Sequence, residues 1–158
     1  MAQKDFKEFL ELLNKNKVKY LIVGGYALAY HSKPRFTGDI DIWIEPTPEN
    51  AKKTLNTLRD FGFGELEIEE SDIIKEGNII QLGYPPNRID LITSIDGVVF
   101  KNAWNNRVEG KFGSNAKKVN YISRANFIKN KEALNRLKDK TDIEWIKKFG
   151  KKEIENYE

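Results

Sequence analysis

The chain contains no cysteine, which excludes disulfide bonds and thiolate metal sites. It has a single histidine, His31, so a zinc site is not expected either. No apolar run approaches the ~18–20 residues that a membrane-spanning helix needs, and the N-terminus lacks the apolar stretch of a signal peptide. These absences predict a cytoplasmic protein that has no association with membranes.

Neither sign of charge dominates, since 27 basic residues stand against 24 acidic ones and the net charge is +3. Basic residues are nevertheless concentrated between Lys101 and Lys152, with pairs such as Lys147-Lys148 and Lys151-Lys152. Such pairs are typical of solvated helix faces, but they also fit an anionic partner. The charge balance does not decide between these two interpretations.

The order of apolar patterns predicts a single α+β domain over residues 1–158, with a core of about 18–121 and a helical C-terminal end of about 123–149. Amphipathic spacing predicts helices, and short runs rich in β-formers predict strands. Helices are predicted over residues 4–16, 26–31, 48–61 and 98–105, and two more are predicted to meet around Lys138-Asp139. Strands are predicted over residues 18–23, 39–45, 78–83 and 88–93, with one or two more within 107–121.

Two aspartates, Asp39 and Asp41, occupy alternate positions of the predicted strand 39–45. Their side chains project from one face with Cα atoms about 6.5–7 Å apart, so they can converge on one small cation. Magnesium prefers oxygen ligands and usually takes one or two carboxylates together with substrate phosphates. The alternative is an exposed strand face that simply carries two acids, although Asp is depleted in strands. Trp43 shares this face, where it can pack against a base or form the floor of a cleft.

A glycine pair, Gly24-Gly25, separates the predicted strand 18–23 from the predicted helix 26–31. Glycine at such a turn lets backbone N–H groups approach an anion closely, and the helix N-terminus adds a favourable dipole. Glycine is also common at strand-to-helix turns for conformational reasons alone. The pair therefore indicates an anion site only in combination with other residues.

The combination is a strand, Gly24-Gly25, a short helix, a linker with Thr37, the pair Asp39 and Asp41, and later a lone strand aspartate, Asp90. This order resembles the DNA polymerase β-like nucleotidyltransferase superfamily. The resemblance implies a nucleotidyltransferase fold, which is a mixed β-sheet with flanking helices. It also implies that the glycine turn and the linker threonine bind a nucleoside triphosphate, and that the three aspartates hold two Mg²⁺ ions, with Mn²⁺ as an alternative, and act in catalysis.

Three residues near this pattern allow other interpretations. Many family members have Gly-Ser at the turn, whereas Gly25 stands here in place of the serine, so backbone amides are expected to contact the phosphate. Asp96 competes with Asp90 for the third carboxylate, although Ile95-Asp96-Gly97 has the composition of a turn. His31 can either reach the nucleotide or only end its helix.

The C-terminal part carries a second resemblance. Lys131 is followed by Arg136-x-Lys138-Asp139 and then by Asp142, which is similar to the pattern that closes many AbiEii-like and related bacterial nucleotidyltransferases. The resemblance implies that Lys131 binds the triphosphate and that the arginine and the two acids brace a helix pair. The other interpretation is a helical hairpin whose charged residues are solvated.

The expected function is metal-dependent transfer of a nucleoside monophosphate from a triphosphate to a hydroxyl group. Resemblance allows three acceptors: a tRNA 3′ end, as in AbiEii-like toxins; a tyrosine or serine of a partner protein, as in small antitoxin-type transferases; or a small antibiotic. The alternative is an inactive binding module of the same fold, which would act as a toxin or antitoxin partner. The sequence indicates neither the base of the donor, for which ATP is the working assumption, nor the oligomeric state.

Overall fold

A mixed six-stranded sheet runs through the part of the chain that the structure, a computed structural model, describes: residues 2–33, 35, 37–113 and 115–150. The predicted basic pair Lys151-Lys152 lies outside these residues. In chain order the elements are α1 (Ala2–Lys15), β1 (Tyr20–Val23), α2 (Gly24–His31), β2 (Ile40–Ile44), α3 (Pro48–Asp60), α4 (Glu70–Ile74), β3 (Ile79–Leu82), β4 (Ile89–Ile92), α5 (Phe100–Asn105), β5 (Val108–Phe112), β6 (Asn115–Tyr121), α6 (Arg124–Leu134) and α7 (Leu137–Phe149).

The strands follow the order β3-β4-β2-β1-β6-β5 across the sheet. Strand β2 pairs antiparallel with β1 and parallel with β4, and β1 pairs parallel with β6. The outer strands β3 and β5 each pair antiparallel with their inner neighbour. The predicted α+β class, with a mixed sheet, flanking helices and a helical C-terminal end, is therefore confirmed.

Helices α1 and α3 form where the apolar spacing predicted them. Phe6, Phe9 and Leu13 of α1 are fully buried because they share one face of the helix. Helix α3 begins after Thr47, whose hydroxyl accepts a hydrogen bond from the backbone N–H of Asn50 (3.3 Å), with Pro48 at its first position. Among the described residues, no helix is both long and apolar enough to cross a membrane.

Two predicted boundaries were wrong. Helix α2 begins at Gly24 itself, so the glycine pair is the first turn of the helix rather than a turn before it. Helices α6 and α7 meet at Asn135, which adopts the left-handed conformation (φ 52°) that ends many helices. Lys138 and Asp139 therefore lie in the first turn of α7. The Asp139 carboxylate accepts a hydrogen bond from the Arg136 backbone N–H (3.1 Å), which fixes this start.

Strand β2 is buried on both faces. Ile40, Ile42 and Ile44 are covered on one side, and Trp43 on the other side is only 2% exposed. Its indole packs edge-on against Phe100, with ring centroids 4.9 Å apart. Trp43 was expected either to pack against a base or to form the floor of a cleft. The structure supports the second interpretation, because a buried ring has no free face for a nucleotide base.

Candidate functional site

The register of three neighbouring strands brings Asp41, Asp90 and the start of α2 together. Asp41 is paired with Val23 of β1 on one side and with Asp90 of β4 on the other. Side chains at paired positions of a sheet project to the same face. Val23 is the last residue of β1, so Gly24 follows directly beside Asp41. Residues far apart in sequence therefore meet at one end of the central strands.

Gly24 lies so close to the Asp41 side chain that no Cβ atom fits between them. Its φ of +65° is a left-handed conformation, which favours glycine. A Cβ atom at this position would lie 3.1 Å from Asp41 Cγ and would overlap Oδ2. Only glycine lets the first turn of α2 come this close to the carboxylate.

Gly25 is close to Thr37, the linker threonine that the sequence assigned to nucleotide binding. A Cβ atom on Gly25 would lie 2.8 Å from the Thr37 methyl carbon Cγ2, so a serine there would force the threonine to move. The backbone carbonyl of Thr37 accepts a hydrogen bond from the Tyr26 hydroxyl (3.1 Å), which ties the linker to α2. A side chain at position 25 is thus opposed by a local steric contact, and the Thr37 hydroxyl oxygen would lie 3.8 Å from its Cβ atom.

Arg88, which the sequence reasoning did not single out, connects the other two acids. Its Nε and Nη2 atoms donate to Asp90 Oδ1 and Oδ2 at 2.6 and 3.1 Å. Its backbone N–H donates to Asp39 Oδ1 (2.8 Å), and Nη2 lies 3.5 Å from Asp39 Oδ2. The signal was present in the sequence: Arg88 stands two residues before Asp90, and strand alternation puts both on one face.

Asp41 carries unbalanced negative charge. Burial, and after it the nearby carboxylate of Asp90, raise the pKa of its carboxyl to about 6. Lys131 and Lys138 act in the opposite direction, so both lysines lie within electrostatic reach of Asp41. Within the described residues, no hydrogen bond or ion pair is formed by the Asp41 carboxylate. A bound cation would relieve this charge.

The chemistry of the three carboxylates fits a divalent cation that prefers oxygen ligands. Across the described part of the chain, however, no group of three His, Asp or Glu side chains is gathered as tightly as a metal site. A guanidinium, that of Arg88, now supplies the positive charge between Asp39 and Asp90. Asp39, Asp41 and Asp90 are the residues that would hold a metal, and they would have to draw closer around it.

Lys131 is held at the junction of α6 and α7. Its ammonium lies 3.5 Å from Asp139 Oδ1 and 3.3 Å from Asp142 Oδ2, and its side chain is 10% exposed. Asp139 is fully buried and also accepts hydrogen bonds from Nε (2.7 Å) and Nη2 (3.1 Å) of Arg136. These bonds hold the pKa of Asp139 near 2. The two acids therefore do connect the helix pair, but through Lys131, whereas Arg136 contacts only Asp139 at the start of α7. A contact between Lys131 and phosphate stays a prediction.

Replacing Asp139 by Asn is expected to lower the free energy of unfolding by about 2–3 kcal/mol, because a buried carboxylate with charged partners is lost. The folded-state pKa of Asp139 lies below its unfolded value, so its contribution is present above pH 4 and declines as the pH falls towards 2. The difference in unfolding temperature between the variant and the wild type should therefore become smaller as the pH is lowered from 4 to 2. Asp142→Asn, which removes one ion pair of a partly exposed acid, is the matched control and should cost less. Equal losses for both variants would contradict this account.

Two other residues lie outside the group of acids. His31 is buried, and its Nε2 atom lies 2.7 Å from the carbonyl oxygen of Ile122, so it joins the end of α2 to the residue after β6. Asp96 is exposed in the turn before Gly97, and its backbone carbonyl accepts a hydrogen bond from Asn130 (2.8 Å). Asp90, not Asp96, is the acid that the strand register pairs with Asp41.

No protein-family model matches the chain, and no curated protein matches it. Among solved structures, the crystal structure of the lincosamide antibiotic adenylyltransferase LnuA with lincomycin bound is similar. The match covers 91% of this chain and 95% of that one, with a TM-score of 0.59 and 22% sequence identity. At this identity the similarity shows the fold alone, which is the nucleotidyltransferase fold predicted from the sequence.

Proposed function

We propose that the chain is a metal-dependent nucleotidyltransferase, which moves a nucleoside monophosphate from a nucleoside triphosphate to a hydroxyl group. The observation that carries the proposal is the register of β1, β2 and β4, in which Asp41 lies beside both Gly24 and Asp90. The start of α2, which can bind an anion, is therefore next to the carboxylates of Asp41 and Asp90. Triphosphate transfer needs such a pair of sites.

In the proposed complex the triphosphate lies against the first turn of α2. The free backbone N–H groups of this turn donate to phosphate oxygens, and the helix dipole favours the negative charge. Gly24 and Gly25 have no side chains that would keep the phosphates away, and in the proposal the nearby Thr37 hydroxyl also contacts a phosphate. Lys131 adds positive potential from the junction of α6 and α7.

Asp39, Asp41 and Asp90 would hold the divalent ions, two Mg²⁺ or Mn²⁺ in the proposal. When bound, these ions neutralise phosphate charge and lower the pKa of the attacking hydroxyl. The acceptor oxygen forms a bond to the α-phosphorus, the bond from that phosphorus to the bridging oxygen breaks, and pyrophosphate leaves with the electron pair. In the proposal, Asp90 accepts the hydroxyl proton.

The acceptor is best found by incubating the protein with Mg²⁺ and each of the four nucleoside triphosphates labelled at the α-phosphate. Parallel reactions contain total tRNA, cell lysate or a panel of hydroxylated antibiotics that includes lincomycin, which occupies the similar LnuA structure. Label in RNA, in protein or in a small molecule identifies the acceptor class. Label in none of them, over a full series of nucleotides and metals, would contradict the proposal.

A second candidate function is an inactive module of the same fold that binds nucleotide or a toxin–antitoxin partner. It is favoured by the Arg88 guanidinium between Asp39 and Asp90 and by the two carboxylates on Lys131. In both arrangements, side chains that nucleotide transfer would need for metal or phosphate are already paired within the protein. Calorimetry with ATP and Mg²⁺ separates the two functions, because the module binds without turnover and the enzyme releases pyrophosphate.

The unbalanced charge of Asp41 predicts that Asp41→Asn stabilises the metal-free protein. The folded-state pKa, about 6, lies above the unfolded value of 3.8. Ionisation above pH 6 therefore costs stability, by up to about 3 kcal/mol, and this cost is absent below pH 4. In EDTA the variant should unfold at a higher temperature than the wild type at pH 8, and at the same temperature at pH 4.

Addition of Mg²⁺ at pH 8 should then raise the unfolding temperature of the wild type and have little effect on Asp41→Asn, because a ligand stabilises only the state that binds it. Asp96→Asn, which replaces an exposed acid, serves as the control and should follow the wild type in both conditions. An Asp41→Asn protein that is less stable than the wild type at pH 8 in EDTA would contradict the assignment of excess charge to this carboxyl.

A further inference from the structure

Arg88 has an unusual position for a residue that takes no part in the proposed transfer. It directly precedes β4 and directs its donors at two of the three acids that would hold metal. The contact with Asp90 is a two-point contact in which Nε and Nη2 each reach one carboxylate oxygen. Its side chain is only 24% exposed, so water competes weakly for the same donors.

The Arg88 guanidinium supplies part of the positive charge that a divalent ion would bring to these acids. Asp41 and Asp90 lie on two paired strands and Asp39 directly precedes one of them, and like charges this close repel one another unless a cation is present. Arg88 pairs with Asp39 and Asp90, whereas Asp41 has no such partner and keeps the excess charge. In the metal-free protein the arginine thus shares its single positive charge between two of the three acids.

The same contact opposes a metal ion at Asp90. A two-point contact occupies one lone pair on each carboxylate oxygen and fixes the plane of the group. A divalent ion bound at the remaining positions would lie close to a guanidinium of like charge, and this repulsion weakens binding. Either Arg88 leaves Asp90 when the ion binds, or the ion binds with reduced affinity.

We propose that Arg88 is a positioning residue that acts as an internal counter-cation: it holds Asp39 and Asp90 in the metal-free protein and competes with the divalent ion for Asp90. The inference rests on the proposed metal site but not on the identity of donor or acceptor. Metal then binds more weakly than the three carboxylates alone would allow. The site is preserved between turnovers because the acids are not left to repel one another.

The test compares Arg88→Gln and Arg88→Lys with the wild type, using Mn²⁺ alone as the probe. Calorimetry gives the affinity for Mn²⁺, and thermal unfolding in EDTA gives the stability of the metal-free protein. Arg88→Gln should bind Mn²⁺ at least about tenfold more tightly and should unfold at a lower temperature in EDTA. Arg88→Lys keeps the charge but loses the two-point contact. Its Mn²⁺ affinity and its unfolding temperature in EDTA should therefore lie between those of Arg88→Gln and the wild type.

Arg136→Gln is the matched control, because Arg136 makes the same two-point contact with Asp139 at the junction of α6 and α7. It should lower the unfolding temperature and leave the Mn²⁺ affinity unchanged. If Arg88→Gln and Arg88→Lys bind Mn²⁺ no more tightly than the wild type, the inference is overturned while the metal site stands. If no form of the protein binds Mn²⁺, the proposed function is overturned, and the inference with it.

Discussion

The double variant Asp39→Asn, Asp41→Asn is expected to lose nucleotide transfer by at least about a thousandfold, because removal of one preorganised electrostatic group already costs about a hundredfold to a thousandfold. Asparagine preserves the shape of both side chains and removes the charge that would hold the ions. The rate of label transfer in the presence of Mg²⁺, with the acceptor found as described above, is the quantity to measure.

Asp96→Asn is the control for this variant. Asp96 is an acid of the same type, lies in the exposed turn after β4, and makes no contact with Asp39 or Asp41 that would explain an effect. It should transfer nucleotide at the wild-type rate. A double variant that kept more than a small fraction of the activity would remove the metal pair from the mechanism, since its fold is expected to be intact.

Gly24→Ala is expected to reduce transfer by at least about a hundredfold, because a reacting group displaced by about 1 Å costs that much. The added methyl group would overlap Asp41 Oδ2, so either the carboxylate rotates away or the first turn of α2 retreats from the phosphates. Both movements separate the anion site from the metal ligand. The left-handed φ of +65° adds a backbone cost of about 1–2 kcal/mol.

Gly77→Ala separates the two effects of that substitution. Gly77 also has a left-handed φ, +85°, but nothing lies within 4 Å of the position that its Cβ would take. The variant should lose similar stability in thermal unfolding and retain full activity. If Gly24→Ala lost no more activity than Gly77→Ala, the contact between the helix start and Asp41 would have no part in function.

The elements that place the acids could be predicted from the sequence because each carries a strong local pattern. The alternation of isoleucines around Asp41 specified a strand, and Thr47-Pro48 specified the start of the next helix. That Asp90 belongs with Asp39 and Asp41 was predicted from resemblance alone. The register that pairs Asp90 with Asp41, 49 residues away, is set by contacts that no local pattern shows.

The parts that could not be predicted depend on tertiary contacts. Trp43 alternates with the isoleucines, which suggested an open face, yet helix α5 covers it through Phe100. A lysine among other charged residues of a helix is usually solvated, yet the ammonium of Lys131 forms ion pairs with Asp139 and Asp142 of the next helix. Arg88 was overlooked because one arginine beside a turn is common, and only the sheet brings it to Asp39.

The most direct test of metal-dependent nucleotidyl transfer compares the same triphosphate labelled at the α-phosphate and at the γ-phosphate. With Mg²⁺ and acceptor, the α-label should become attached to the acceptor, and the γ-label should appear as pyrophosphate in equal molar amount. Neither should happen in EDTA or with the Asp39→Asn, Asp41→Asn variant. A γ-label that is transferred to the acceptor, or released as orthophosphate while the α-label stays in the nucleotide, would contradict the account.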